Sequence, residues 1–387
     1  MKALLLGAAF VAKLTLFLIV VGSFGSDKAK TFIVFSSIAQ LLSILQVGVP
    51  ALTKNQFVQG ELSEREFASR FATAFFIPGA ALLLFWVLWI WGLGATLFSD
   101  DPGMQILGFA YGVYVLQCNT YALFSEARSN GVFAYRFIAL SLVFINLLFL
   151  NLSSEFATEL AVVLTVLSGA VVFLGTKGFL ARPKTYLYGV RNNPFLRVEL
   201  TSVPVGALEI PLIAMALTSS DVVAYALCQR VFGVLPALSA ALTRPVWSVG
   251  AIALRSQDHE RYRSVVHFNR RVMWLGVLGV IICVAASLFL IQSFVAAGDI
   301  STLFMVAGFG TWAAFQLANR KSKNLLLAAD HYKSLARALS WMNLGHLSIL
   351  AMLALFGAPL VVWVVLKVIS AGAAMIIMRN TEVQKTQ

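Results

Sequence analysis

Charge is what this chain has least of. Asp, Glu, Lys and Arg make up 12% of its 387 residues, about half the share of an ordinary soluble protein. With 59% of the residues hydrophobic, the composition argues against a water-soluble fold. Cysteine is scarce too: Cys118, Cys228 and Cys283 lie inside apolar runs, in no metal-ligand spacing. That excludes a disulfide framework or a zinc site, and they read as small core residues. No nucleophile-base constellation and no glycine-rich phosphate loop occurs, so the sequence nominates no catalytic residue, no metal ligand and no cofactor. Nor is there room for a second soluble domain. Twelve membrane spans of roughly 20 residues leave about 11 for each connection or terminus.

What the chain does have is long apolar runs. Segments able to cross a hydrocarbon core fall at residues 3–22, 31–52, 71–93, 103–124, 132–152 and 158–180, then at 200–217, 221–243, 272–294, 300–318, 335–356 and 358–378. The runs are continuously apolar instead of alternating, and each backbone amide in lipid must bond within its own segment, so the spans are helices. The first run, after Lys2, has some features of a signal peptide. Lys13 interrupts it, however, no small-x-small cleavage site follows, and its removal would leave an odd number of spans; it is expected to be the first helix.

The 29 Lys and Arg outnumber the 17 Asp and Glu, for a net charge of +12. In a soluble chain such a balance would suggest nucleic acid. Here it follows the positive-inside rule, so no nucleic-acid partner is expected. With the N-terminus in the cytoplasm, 24 basic residues fall on inner loops or span edges, and only Lys28 and Lys30 fall outside. Both termini are therefore expected in the cytoplasm. The inner stretches Glu61 to Arg70 and Asp258 to Arg271 are amphipathic and read as lying along the headgroups, with anionic lipid as a partner.

A repeat runs through the chain at half its length. Ala51-Leu52-Thr53-Lys54 ends the second span and Ala241-Leu242-Thr243-Arg244 the eighth, an offset of 190; Asn146-Leu147 and Asn343-Leu344 are offset by 197. Together with the six-plus-six count, this gives two parallel six-helix lobes, at residues 1–180 and 200–387, joined by a cytoplasmic linker at 181–199. A cavity between such lobes is the natural site for transport.

Four ionisable residues stand mid-span, where each costs a few kcal/mol, about 3 on the lenient insertion scale, and each is a functional candidate: Lys13, Glu209, Arg230 and Lys367. Glu209 and Arg230 are equally far from Ser219-Ser220 and would share one depth in a hairpin. Either they form a buried ion pair, or Arg230 meets the cavity and Glu209 takes a proton, a cation or Lys367. Pro204 and Pro211 bracket Glu209, so span seven is expected to bend, as a gate or as a static kink. Lys13 has no mid-span acid in its own lobe. His346, beside Asn343, either relays a proton or bonds to a neighbouring helix.

The stretches DVVAYALCQRVFGVLPALSAALTRPVWSVGAIALRSQDHERYRSVVHFNRR (221–271), VGVPALTKNQFVQGELSE (47–64) and LLLAADHYKSLARALSWMNL (325–344) carry a resemblance. The chain resembles the Wzx-type polysaccharide flippases of the multidrug, oligosaccharidyl-lipid and polysaccharide exporter superfamily. What this resemblance implies is an all-α integral membrane fold, twelve transmembrane helices in two six-helix lobes forming a V around a central cavity. It implies flipping of undecaprenyl-diphosphate-linked oligosaccharide, for O-antigen, lipopolysaccharide or exopolysaccharide, across the bacterial inner membrane by alternating access. Polysaccharide polymerase and chain-length machinery would be further partners. Lys13, Lys54 and Arg230 stand where relatives carry cavity arginines. Glu209 and Asn343 correspond loosely to a cation site that implies H+ or Na+ coupling, and Lys367 departs from that pattern and could put its ammonium in the cation's place.

The chemistry agrees, because a diphosphate needs fixed cations to pass through hydrocarbon. A cation-coupled multidrug antiporter of the same fold is the nearest alternative, but it would be expected to carry an acid in the first lobe. A polysaccharide polymerase or ligase would be expected to need a larger outer loop than any here.

Overall fold

The computed structural model describes residues 2–46, 49–58, 60–91, 101–128, 130–150, 156–176, 181–191, 196–295, 300–328 and 332–383. It is all-α, as the apolar runs require, and its helices form two compact units, Met1–Ala214 and Met215–Gln387. By length and composition, nine of the described helical stretches can cross a membrane, and Leu200–Ala216 is a shorter apolar one. The protein is a multi-pass membrane protein.

In the first unit the two expected spans at 3–22 and 31–52 are not separated by a loop. Helix α1 (Lys2–Gln40) runs through the first and into the second, and breaks at Gly25, whose φ of 76° and ψ of 173° are open to glycine and strained for other residues. The chain continues in α2 (Leu42–Gln46) and α3 (Val49–Val58). Ser63 then starts α4 (Glu64–Ile90): its hydroxyl accepts from the Glu66 amide while the Glu66 carboxylate accepts from the Ser63 amide, a reciprocal cap. The Glu61 to Arg70 stretch, expected along the headgroups, is thus mainly the opening of a membrane helix. Likewise Asp258 accepts from the Arg261 amide at 3.0 Å and caps α11 (His259–Phe294), so that segment too continues into its span.

Helix α5 (Pro102–Ala127) is the hub of the first unit. It packs against α1, α3, α4, α6 (Gly131–Leu150) and α7 (Ala157–Thr176). Gly108 and Gly112 let it approach α1 closely: a Cβ on Gly108 would lie 2.5 Å from the Phe32 carbonyl oxygen, and one on Gly112 would lie 2.6 Å from the Ser36 carbonyl oxygen. Because protein and not lipid surrounds α5, it buries Gln105, Gln117, Thr120 and Ser125, polar residues that a lipid-facing helix does not tolerate. Phe67, Phe71 and Phe75 recur every four residues along one face of α4 and close around Phe124 of α5.

The expected linker at 181–199 holds a short helix, α8 (Pro183–Arg191), docked on α3 and α4; residues 192–195 lie outside the described ones. Tyr186 of α8 donates its hydroxyl to the carbonyls of Leu45 at 3.2 Å and Gln46 at 2.9 Å, at the end of α2. Burial pushes the phenol's pKa above its ordinary value, which keeps the proton there to donate.

The second unit repeats the plan. Helix α12 (Ile300–Ala328) is its hub, packed against α10 (Ser219–Arg255), α11, α13 (Tyr332–Leu355) and α14 (Leu360–Val383). The turn before α10 is Leu217–Thr218, not Ser219-Ser220: the Thr218 hydroxyl accepts from the Asp221 amide at 3.3 Å and donates to the Asp221 carboxylate at 2.7 Å. At 37 and 36 residues, α10 and α11 are each longer than the roughly 20 residues a bilayer core needs.

Candidate functional site

Lys13 is half-buried on α1, within electrostatic reach of the Cys118 thiol of α5. The backbone next to Lys13 is held to the rest of the unit. The side-chain amide of Asn146, on α6, donates to the Ala12 carbonyl at 3.0 Å. That bond fixes the backbone next to Lys13 and gives Asn146, half of the 197-residue repeat, a structural task.

Lys54 of α3 forms an ion pair with Glu126 near the end of α5. Glu126 also accepts from the Tyr135 hydroxyl of α6 at 2.7 Å. The sequence reading missed this acid because Glu126 lies just past the fourth span. A search for acids within one turn of the span ends would have found it. Close by in sequence, Arg128 donates to Glu64 at 2.9 Å and lies 4.6 Å from the Phe124 ring centroid, so the aromatic column of the first unit ends in a basic group.

A second polar arrangement serves the backbone. Pro78 has no amide, so the carbonyl four residues earlier, on Ala74, loses its helical partner. The Gln46 side-chain amide donates to that carbonyl at 2.8 Å, and also to Thr120 at 3.2 Å. Gln117 supplies the next carbonyl, on Phe75, at 3.2 Å. Buried amides here replace the water that hydrocarbon excludes.

Helix α9 (Leu196–Ala216) contains both Pro204 and Pro211 and holds Glu209 with 5% exposure. Arg230 is half-buried on α10. Lys367, on α14, is 7% exposed, and its ammonium stands over three aromatic rings: Trp312 at 5.0 Å, Tyr225 at 5.4 Å and Phe309 at 5.4 Å from the ring centroids. One turn further along α14, Ser370 is hydrogen-bonded to His346 Nδ1 of α13. The histidine is therefore bonded to a neighbouring helix, one of the two expectations for it. Asn343, three residues before His346 on α13, is half-buried. Lys367 and Ser370 thus place the α10, α12 and α13 side chains of this cluster along one face of α14. Among the described residues, no group of three or more His, Cys, Asp or Glu side chains is placed to hold a metal ion.

No protein-family model and no curated protein matches the chain. Solved structures do. An inward-facing multidrug resistance MATE family transporter of the MOP superfamily aligns over 100% of both chains, with a TM-score of 0.65 and 11% identity. A MATE protein in complex with MaL6 aligns over 100% of this chain and 95% of its own, at 0.59 and 10%. An outward-facing MATE transporter of the same superfamily gives 0.55 and 15%, with the same coverage. At these identities the likeness establishes the fold, one of twelve helices in two lobes.

Proposed function

We propose that this chain is a flippase that moves undecaprenyl-diphosphate-linked oligosaccharide from the cytoplasmic to the periplasmic leaflet of a bacterial inner membrane, for cell-surface polysaccharide assembly. The observation that carries this reading is the set of half-buried or buried cations within apolar helices, Lys13 on α1, Arg230 on α10 and Lys367 on α14, against one mid-span acid, Glu209. Cations so placed suit an anionic cargo, since a diphosphate crosses hydrocarbon only when its charge is met by fixed donors. Lys13 and Arg230 each take part of that charge during the passage. Lys54 helps recruit the headgroup by exchanging the Glu126 carboxylate for a phosphate. Glu209 carries the coupling to a proton or sodium gradient, and Asn343 and His346 are the further polar candidates for that role. No covalent step is needed, so the chain acts as a carrier and not as an enzyme. The polymerase and chain-length machinery would act on its product.

Replacing both Lys13 and Arg230 by Ala, at unchanged membrane abundance, is expected to lower glycan export at least about tenfold, the loss of one charge-assisted contact. Export that persists at the wild-type level removes both roles. Glu209→Gln is expected to abolish the response of transport to an imposed proton or sodium gradient; a retained response ends the coupling role.

A second reading, a cation-coupled multidrug antiporter, is favoured by the fold shared with the MATE transporters. It requires export of cationic dyes by the wild-type chain, in cells where deletion of the chain leaves glycan export intact.

A further inference from the structure

The second unit contains an enclosure whose chemistry suits the wrong charge for an anionic cargo. Tyr225 comes from α10, Phe309 and Trp312 from successive turns of α12, and the packing of α10 and α14 against α12 turns the three rings toward a common point. The rings brace one another: Phe309 meets Tyr225 edge-on at 4.9 Å and Trp312 edge-on at 5.9 Å. Tyr225 and Phe309 are fully buried. Aromatic faces are negative, and several of them converging within about 6 Å of one point form the arrangement that recognises alkylammonium and quaternary ammonium groups. The ammonium found there belongs to Lys367 of the same chain.

We propose that this enclosure is an organic-cation site, filled by the chain's own Lys367, and that Lys367 is a specificity residue that keeps cationic cargo out of the second unit. The geometry gives the lysine two effects at once. Its stem occupies the volume a ligand would need, and its charge repels a second cation from the same rings. The inference rests on reading the chain as a transporter, but not on the cargo being a glycan.

Lys367→Ala removes three methylenes and the ammonium, and n-propylammonium restores the same atoms. The purified variant in detergent is expected to be stabilised against thermal unfolding by n-propylammonium and tetramethylammonium, half-saturating at about a tenfold lower concentration than in the wild-type chain, the size of one good cation–aromatic contact. The neutral isostere 1-propanol is expected to have no such effect, and adding Trp312→Leu to the variant is expected to abolish the response. Equal responses of variant and wild type, or equal effects of amine and alcohol, overturn the proposal. If the variant fails to accumulate, n-propylammonium in the growth medium must restore it, and a failure to do so also overturns the proposal. Glycan export by the wild-type chain is measured alongside. Loss of the ammonium response with export intact removes this inference alone, and absent export with the ammonium response intact removes the proposed cargo alone.

Discussion

At the scale of single residues, the polar groups in this protein include some that serve the backbone and some that meet other side chains. Gln46 serves the backbone: its amide occupies the carbonyl that Pro78 releases on Ala74. Gln46→Leu is expected to cost about 1–3 kcal/mol, the penalty of a buried acceptor left unmet, read by chemical unfolding in detergent. Adding Pro78→Ala, which returns an amide to α4, is expected to recover most of that loss; no recovery would mean that Gln46 acts elsewhere. The proline stands in the sequence inside the expected span 71–93. Its partner was not visible there, because nothing local to either residue marks a contact between positions 28 apart. The same holds for Lys54 and Glu126, which are 72 apart, and for the rings around Lys367. Lys13, Glu209, Arg230 and Lys367, in contrast, were all legible as candidates, since a charge inside an apolar run is conspicuous whatever it touches.

At the scale of elements, hydropathy placed helix at each expected span, but it did not show where spans fuse or where α10, α11 and α12 run on past their apolar runs. Gly25 supplies a break with no loop, and the caps at Ser63 and Asp258 carry helix into stretches that read as surface-lying by their charge pattern alone. The hub helices follow a different rule. Gly108-Phe109-Ala110-Tyr111-Gly112 spaces two glycines by one turn, so that α1 and α5 meet at backbone distance. Gly112→Leu is expected to destabilise the protein by about 1–3 kcal/mol through overpacking. Gly169→Ala, on α7 with no atom within 4 Å of the added Cβ, is expected to gain up to about 1 kcal/mol from helix propensity. The two variants are compared in one thermal unfolding series; equal effects would show that the close approach at Gly112 is not tight.

At the scale of the whole molecule, the pattern of Lys and Arg makes a prediction about orientation. Cys118, Cys228 and Cys283 are all buried, so an exposed cysteine introduced on this chain is the one that reacts. Ser26 and Ser256 are both exposed. A membrane-impermeant thiol reagent added to intact cells is expected to label Ser26→Cys and to spare Ser256→Cys until the membrane is opened. The reverse pattern would invert the topology and, with it, the direction proposed for transport.

The sequence by itself determined that this chain is built of membrane helices, where its apolar runs lie and which charged residues interrupt them. Each of these follows from the cost of placing a polar group in hydrocarbon, a cost that depends on composition along the chain and not on neighbours in space. Only the tertiary structure decided that α5 and α12 are the hubs, that Gln46 answers Pro78, that Glu126 holds Lys54, and that three rings surround the Lys367 ammonium. Those contacts join residues far apart in the chain, and a distance between helices is fixed by how their side chains pack, which no single stretch of sequence contains.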